Sequence, residues 1–331
     1  MAAGVRCKGR RFEACAHLAL IAVALAGTAC NRSGARRIGV IPKGTSHVFW
    51  QSVHAGAVAA GREFHENVDW EGPPNETDYA RQLEIFDSML NQHVNGIVVA
   101  ASDRTTLVAS LDRASRENIP VVVFDSAVDS QNYVSFVATN NYEGGQMAGR
   151  KLGELVHGKG SVAMIMNAPG SASTMDREHG FRDAIGKEFP GVKIVAEQYC
   201  MTDGAKAMAA AENIFTAHPS LDGIFGSSEP SSIGAAQAAK ARGLAGKVRI
   251  VGFDSSEGLV ADLQQGVIDA LVVQNPFRMG YEAVRALTDK LNGKTPPKRI
   301  DLSATVITRD DLGKPEANEL LHPDLKKYLG R

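Results

Sequence analysis

Apolar stretches of strand length alternate along the chain with longer segments in which apolar residues recur every three to four positions. Short apolar runs are typical of buried strands, whereas the longer spacing is typical of helices with one buried face. Regular alternation of the two predicts βαβ units and a parallel sheet. The predicted strands are 37–41, 68–70, 96–101, 119–126, 161–166, 193–199, 222–228, 248–256, 269–274 and 301–308. The predicted helices are 48–66, 78–93, 105–118, 173–189, 204–217, 231–242, 257–265 and 279–291.

The order of these elements repeats in the second half of the chain. The sequence NGIVVAASD corresponds to DGIFGSSEP further on, and PVVVFDSA corresponds to RIVGFDSS. Asp125 and Asp254 therefore occupy matching positions. The repetition predicts an α/β protein with two similar doubly wound parallel-sheet domains.

The last part of the chain does not continue this repeat. Its helices and strands must join sheets that already exist, so we expect the chain to cross between the two lobes several times and to form a multi-crossing hinge. The predicted lobes are 36–139 plus 275–303 and 140–274 plus 304–331. The predicted hinge residues are Thr139, Asn140, Gln274 and Asn275.

The first thirty residues differ in composition from the rest. Four basic residues precede an apolar run at 14–26 that is too short to span a bilayer, and small residues lead from it to Cys30. This order predicts a secretory signal peptide at 1–30, followed by a linker at 31–36. A cysteine after small residues also resembles the lipoprotein cleavage box, although Gly27 stands where that box usually has a branched apolar residue. We therefore predict lipidation of Cys30 and a location in the periplasm or cell envelope.

Composition excludes several classes of function. The chain has 331 residues, is 44% hydrophobic and carries a formal net charge of −1. Loss of the signal peptide removes more basic than acidic residues, and a mildly acidic mature protein argues against nucleic-acid binding. If Cys30 carries lipid, Cys200 has no partner, and the spacing of cysteines and histidines suggests no metal site. We expect no disulfide, no cofactor, and membrane contact only through the lipid anchor.

Polar residues follow the carboxyl ends of the predicted strands in both lobes. In open parallel sheets this edge is where ligands bind. Each residue could instead cap the next helix, since Asp and Ser are favoured capping residues, but the matched positions in two lobes favour convergence on a cleft. The candidates from this pattern are Lys43, Asp103, Asp125, Ser126, Ser228, Glu229, Asp254 and Gln274.

The first predicted helix carries two adjacent aromatic residues in its first turn. Phe49 belongs to an apolar stripe with Val53, whereas Trp50 does not lie on that stripe. Trp50 stands at the strand-end edge, close to His47, where its ring is expected to form a platform for the flat apolar face of a ligand. The alternative is that both rings belong to the core.

No arrangement typical of a catalytic nucleophile occurs in the sequence. The serine-rich segments lack the G-x-S-x-G form, and IPKGTS lacks the spacing of a phosphate-binding loop. Asp125 and Asp254 could imitate the two carboxylates of a glycosidase, but their separation would change with movement of the hinge. The chain is therefore predicted not to be an enzyme.

Several motifs, in the right order, resemble the periplasmic sugar-binding proteins of ABC transporters. The resemblance is to the ribose-binding class, which shares its fold with the effector domains of lactose-repressor-type regulators. The motifs include HVFW, IPVVVFDS, YVSFVATNNYEGGQMAG, DREHGF and ALVVQNPFRMGYEAV. The resemblance implies two lobes that close on a sugar. A regulator would need a helix-turn-helix before residue 36, where the sequence instead predicts an export signal.

The resemblance also implies roles for individual residues. Phe49 and Trp50 fall where two aromatic residues pack on the sugar ring, and His47 falls where an asparagine commonly binds a hydroxyl. The residues that match hydroxyl-binding positions directly are Asp125, Arg177, Asp254 and Gln274. The sequence departs from the family at Ala100, Ser126, Thr202 and Ser228, with Tyr199 as a possible replacement for an aromatic near Thr202. These departures leave the identity of the sugar open.

Lys43 adds a second resemblance. IPK, WEGPPNETDYARQ and FDS are similar to segments of the binding proteins for autoinducer-2, a furanosyl signal that a lysine and an aspartate bind, but the second aspartate of those proteins has no counterpart identified here. The main expectation is a monomeric binding protein outside the cytoplasm. It would capture a small sugar or polyol and deliver it to an ABC transporter permease or report it to a chemoreceptor.

Overall fold

The computed structural model describes residues 1–4 and 35–330. Cys30 and most of the predicted signal peptide and linker lie outside these residues, so those assignments stay predictions. Among the described residues, no helix has both the length and the apolar character that crossing a membrane would require.

Two six-stranded sheets form the two lobes of the described chain. The strands of the first sheet are β1 (Arg37–Ile41), β2 (Asn67–Trp70), β3 (Gly96–Val99), β4 (Val121–Phe124), β5 (Ser135–Thr139) and β11 (Arg299–Leu302). The strands of the second are β6 (Lys159–Met166), β7 (Gly191–Tyr199), β8 (Gly223–Gly226), β9 (Arg249–Phe253), β10 (Ala270–Val273) and β12 (Thr305–Thr308). Their spatial orders are β11-β5-β4-β3-β1-β2 and β12-β10-β9-β8-β6-β7. All neighbours run parallel except β12, which is antiparallel to β10. The predicted pair of similar parallel-sheet domains is therefore confirmed.

The central strands are buried because helices cover both faces of each sheet. The sequences GIVV in β3 and VVVF in β4 are buried at every position, as expected of parallel strands that have no solvent-facing side. The first-lobe helices are α1 (Val48–Phe64), α2 (Tyr79–Asn91), α3 (Val108–Arg116) and α9 (Pro276–Leu291). The second-lobe helices are α4 (Asn141–Leu155), α5 (Ala172–Glu188), α6 (Gly204–Ala217), α7 (Glu229–Ala241) and α8 (Glu257–Gln265). Two short helices, α10 (Pro315–Leu321) and α11 (Leu325–Leu329), end the described chain.

Both lobes contain helices whose backbones are in contact. In the first lobe α1 packs on α9, and in the second α4 packs on α5. A methyl group at Gly280 would overlap the carbonyl oxygen of Val53, and one at Gly180 would overlap that of Tyr142. Glycine is required at these crossings because it lets the two helix backbones approach more closely than any side chain allows.

We expect Gly280→Ala to lower the free energy of unfolding by about 1–3 kcal/mol, since the added methyl forces α1 and α9 apart. Gly186→Ala in α5 is the matched control, because a methyl group there meets no atom within 4 Å. This control should raise stability by up to about 1 kcal/mol through helix propensity. Urea denaturation of both variants measures the difference, and equal effects of the same sign would contradict the proposed helix contact.

Within the described residues, the chain passes from one sheet to the other at three places. It runs from β5 into α4, from β10 into α9, and from β11 into β12. The predicted hinge residues lie at the first two of these crossings. Asn140 and Asn275 cap the helices that follow, accepting hydrogen bonds from the backbone N–H of Glu143 at 3.3 Å and of Arg278 at 2.9 Å. Movement about these residues remains a prediction.

The predicted strand at 301–308 is wrong as a single element. β11 pairs with β5 in the first sheet, whereas β12 pairs with β10 in the second. An extended chain that passes between two sheets keeps a strand-like pattern throughout, although the predicted lobe boundary at 303/304 does fall between the two strands. The strand β5 and the helix α4 were also not assigned from the pattern, whereas α6 and α8 have the predicted ends.

The end of the chain returns to the first lobe. Leu321 of α10 is buried in the core of the second lobe. Arg62 of α1 then donates hydrogen bonds to the carbonyl oxygens of Lys327 and Tyr328 at 3.2 and 3.0 Å. The predicted assignment of all of 304–331 to the second lobe is therefore wrong for α11, because its contacts are with a first-lobe helix.

Candidate functional site

A cavity lies between the two lobes at the carboxyl ends of the strands. It has room for water-sized molecules of only about 30 Å³, well below the volume of about 300 Å³ or more that is usual for small-molecule sites. Nine of the twelve predicted binding residues line it: Lys43, His47, Phe49, Trp50, Asp125, Arg177, Glu229, Asp254 and Gln274. The remaining lining residues, which sequence reasoning missed, are Glu76, Asn167, Ser173, Thr174 and Pro230.

Asp103 does not belong to this lining. Its Oδ1 accepts hydrogen bonds from the backbone N–H groups of Thr105 and Thr106 at 2.8 and 3.0 Å. The carboxylate thus closes the turn that leads into α3, which is the capping role weighed from the sequence. A role of Asp103 in ligand binding stays a prediction that its position does not favour.

Ser126 and Ser228 also lie outside the lining, but each forms a hydrogen bond with a residue that lines the cavity. The Oγ of Ser126 accepts a hydrogen bond from the backbone N–H of Ser173 at 3.2 Å, which joins the two lobes. The Oγ of Ser228 donates to the side-chain oxygen of Asn167 at 3.0 Å. Both serines are buried, so they position lining residues and do not face the cavity themselves.

Asp125 and Asp254 share an unusual backbone conformation. Both are in the left-handed region, with φ of 55° and 69°. Aspartate tolerates this region better than most residues because its short side chain can hydrogen-bond locally. Each turns the chain sharply at the end of β4 or β9, so the two matching FDS sequences reflect one local geometry that aims a carboxylate into the cleft from each lobe.

Lys43 joins the lobes through a buried polar cluster. Its Nζ lies 3.2 Å from Oδ2 of Asp125 and 3.9 Å from Oε2 of Glu76. The same ammonium donates hydrogen bonds to the hydroxyls of Ser171 and Ser173 in the second lobe, both at 3.1 Å. Because Lys43 is only 3% exposed, these partners offset the cost of burying its ammonium group, and their arrangement on both sides of the cleft holds the lobes together.

Glu76 organises the first-lobe wall of the cavity. It comes from the WEGPPNETDYARQ segment, and its Oε1 accepts hydrogen bonds from Trp50 Nε1 at 2.9 Å and from His47 Nδ1 at 3.1 Å. Burial alone would raise the pKa of Glu76, but the charge of Lys43 and these bonds lower it to about 2. The carboxylate is therefore ionised, and its Oε1 already accepts two hydrogen bonds from the protein. No local pattern marks Glu76, because it reaches the site from a loop between β2 and α2.

The prediction that Trp50 lies off the core stripe is wrong. Trp50 is 2% exposed and packs in the core of the first lobe, in edge-to-face contact with Phe124 at 6.2 Å. Phe49, which was placed on the core stripe, is only half-buried and faces the cavity. The indole is tolerated in the core because Glu76 satisfies its N–H. Phe49 is thus the more exposed of the two rings at the cleft.

A second charged cluster forms the wall contributed by the second lobe. The guanidinium of Arg177 lies over the ring of Phe253 at 3.9 Å and 3.7 Å from Oδ2 of Asp254. Gln274 donates from Nε2 to Oδ1 of Asp254 at 2.7 Å. Asn141 accepts a hydrogen bond from Nε of Arg177 at 2.8 Å. Planar donors and acceptors are held in fixed orientations, which suits bidentate recognition of neighbouring hydroxyls.

The charges of His47, in the first lobe, and Glu229, in the second, interact across the cleft. Burial lowers the pKa of His47, but the hydrogen bond to Glu76 and the charges of Glu76, Glu229 and Asp254 raise it overall. Burial raises the pKa of Glu229 to about 7, opposed by His47 and reinforced by Asp254. The site therefore contains a carboxyl group that titrates near neutral pH.

Glu178 is a buried carboxyl group directly behind the cavity. Its Oε1 accepts hydrogen bonds from the backbone N–H of Asn167 at 3.1 Å and from the hydroxyl of Ser227 at 3.0 Å. Burial raises its pKa to about 7 despite these bonds. The folded protein therefore holds this proton more tightly than the unfolded chain does.

We expect Glu178→Gln to stabilise the protein at pH 8 relative to the original chain and to have little effect at pH 5. The folded pKa is raised above its ordinary value of 4.5, so the unfolded chain releases the proton first and stability falls as pH rises from 4.5 through 7. The glutamine keeps an acceptor for both hydrogen bonds and removes this loss, about 3 kcal/mol at full ionisation. Urea denaturation at both pH values measures the difference, and Glu154→Gln, at an exposed position, is the control. If the unfolding free energies of Glu178→Gln and the original chain change in parallel with pH, the prediction is wrong.

Two other sequence expectations have a clear structural outcome. Tyr199 is 45% exposed and does not line the cavity, so it does not replace an aromatic there. Ala100 is fully buried in the first-lobe core. Among the described residues, no group of three or more His, Cys, Asp or Glu side chains has the arrangement of a metal site.

Comparisons with known proteins agree on one family and one fold. Residues 38–295 match the model of the periplasmic binding protein domain. The D-allose-binding periplasmic protein of Escherichia coli is 29% identical over 78% of this chain and 86% of its own length. The D-ribose/D-allose-binding protein of Pseudomonas aeruginosa is 27% identical over 80% of this chain and 85% of its own.

Solved structures extend this similarity to three dimensions. A carbohydrate transporter solute binding protein from Agrobacterium radiobacter, in complex with D-arabinose, has a TM-score of 0.85 and 30% identity and covers 87% of this chain and 99% of its own. An ABC transporter solute binding protein from Agrobacterium vitis with bound D-fucose has a TM-score of 0.84 and 33% identity, covering 86% and 100%.

Proposed function

Because this chain belongs to the periplasmic binding protein domain family, we propose that it captures a small sugar or polyol between its lobes for an ABC importer. The observation that carries the proposal is the cavity itself, whose polar walls come from both lobes. Lys43 of the first lobe reaches the hydroxyls of Ser171 and Ser173 in the second. A ligand that contacts both walls stabilises the closed arrangement through contacts that an open cleft lacks.

The lining has the chemistry that a sugar requires. Asp125, Arg177, Asp254 and Gln274 offer fixed donors and acceptors for hydroxyl groups in the plane of a ring. Phe49 offers an aromatic surface for the C–H face of the same ring. The buried charges of Lys43 and Asp125, and of Arg177 and Asp254, are paired with each other, which keeps their burial tolerable without a bound ligand.

The partner that this function requires is the permease of an ABC transporter, which would recognise the closed lobes. Relatives named as import binding proteins support this partner. Contact with a chemoreceptor, a monomeric state and a lipid anchor at Cys30 are further parts of the proposal. The proposal also includes a location in the periplasm or at the cell envelope and a role in binding, not in catalysis.

A thermal-shift screen of the purified protein tests the proposed function. The panel contains pentoses, hexoses, inositols and polyols, together with autoinducer-2 as the alternative ligand. A tight ligand raises Tm by mass action, and small-angle scattering with and without that ligand reports whether the lobes close. The proposal fails if no member of the panel raises Tm, or if the bound ligand contacts only one lobe.

A further inference from the structure

The cavity contains hydrogen-bond acceptors that no group of the protein satisfies. Among the described residues, four buried side-chain atoms lack a hydrogen-bond partner, and two of these, Glu229 Oε2 and Gln274 Oε1, belong to lining residues. Glu229 is 6% exposed and Gln274 is 1% exposed. An unsatisfied buried acceptor is costly, so donor groups of a ligand at these two oxygens would be favourable.

Most of the cationic donors in the lining are already engaged. Lys43 contacts Asp125 and two serine hydroxyls. Arg177 donates to Asn141 and to the carbonyl oxygen of Ser227. The unmet need at this site is therefore for donor groups on the ligand, and the carboxylate of an anionic ligand would add only acceptors.

The balance of charges in the lining also favours a ligand that supplies donor groups. The carboxylates are Glu76, Asp125, Glu229 and Asp254, and the cationic groups are Lys43, Arg177 and, when protonated, His47. The ion pairs of the described lining residues join Lys43, His47 and Arg177 to Glu76, Asp125 and Asp254, and none of these pairs includes Glu229. Glu229 is thus the buried carboxylate left without a cation in contact.

We propose that the ligand is a polyhydroxylated ring bearing a protonated amine, an amino sugar, and that Glu229 binds its ammonium group. This inference rests on the proposed function and specifies its substrate class. Gln274 accepts a further hydrogen bond from the ligand through Oε1, while its Nε2 stays on Asp254. A cation beside Glu229 also stabilises the ionised form that burial opposes. Neutral sugars fill the same acceptors more weakly, because charge-assisted hydrogen bonds are stronger than neutral ones.

Isothermal titration with matched sugars tests the proposal at pH 6.5. The pairs are glucosamine with glucose, galactosamine with galactose and mannosamine with mannose, and N-acetylglucosamine and glucuronate serve as uncharged and anionic probes. We expect at least one amino sugar to bind about tenfold or more tightly than its parent, from the difference between charged and neutral hydrogen bonds. Glucuronate should bind most weakly of all.

Two variants separate the role of Glu229 from general effects on the site. Glu229→Gln should abolish the preference for the amino sugar over its parent, whereas the exposed Glu257→Gln should retain it. If neutral sugars bind and the amino sugars bind no more tightly, the inference is overturned while the proposed function stands. If the preference survives in Glu229→Gln, the assignment to Glu229 is overturned. Absence of binding by every sugar, together with a silent thermal-shift screen, overturns both.

Discussion

The Asp125→Asn variant is expected to bind the best sugar at least about thirtyfold more weakly than the original chain. Asp125 is 2% exposed and lies 3.2 Å from the ammonium of Lys43. A hydrogen bond from a sugar hydroxyl to a charged group is worth about 1.5–3 kcal/mol, and loss of about 2 kcal/mol corresponds to about thirtyfold in affinity. Asparagine also tolerates the left-handed backbone at this position. The loss of affinity therefore reflects the missing negative charge and not a changed conformation of the turn. Isothermal titration measures the change.

Asp103→Asn provides the matched control for this prediction. Asp103 also follows a strand of the first lobe, but its carboxylate caps a turn and does not line the cavity. Its replacement should leave sugar affinity within about threefold, in line with the small effect of substitutions that touch no ligand. Equal losses in the two variants would show that the cavity is not where the sugar binds.

The Trp50→Ala variant is expected to lose about 3–5 kcal/mol of unfolding free energy, because it removes a large side chain from a packed core. Trp50 is 2% exposed, contacts Phe124 and donates its N–H to Glu76. Urea denaturation of the ligand-free protein measures the loss. The same substitution also leaves Glu76 with one donor fewer.

Phe49→Ala is the control that separates packing from binding. Phe49 is half-buried and faces the cavity, so its removal should cost less stability than removal of Trp50 and should weaken sugar binding. An unchanged denaturation midpoint in Trp50→Ala, combined with lost binding, would restore the sequence-based view of Trp50 as a ligand platform.

Residues at strand ends were predicted better than residues in loops. Asp125, Glu229, Asp254 and Gln274 line the cavity because parallel strands bring their carboxyl ends to one edge, which the apolar pattern is sufficient to locate. Asp103 shares that sequence position and still does not line the cavity. Whether such a residue caps a turn or enters the cleft depends on the next few backbone angles, which the pattern does not encode.

Glu76 shows the opposite case. It lies in a loop with no periodic pattern, yet it binds Trp50 and His47 and contacts Lys43. Its position depends on how β2 and α2 place that loop over the first turn of α1. A contact between segments that are distant in sequence leaves no mark in either segment alone.

The sequence by itself determined the two-lobed α/β architecture and the edge at which the site forms, because periodicity reports which side chains must be buried and parallel strands share one polarity. The strand-end pattern and the family motifs together identified nine of the fourteen lining residues. Only the tertiary structure decided that Trp50 is core, that Glu76 reaches the site, and that Glu229 stays without a cation. Each of these depends on distances between segments remote in the chain, which the order of residues along one segment does not contain.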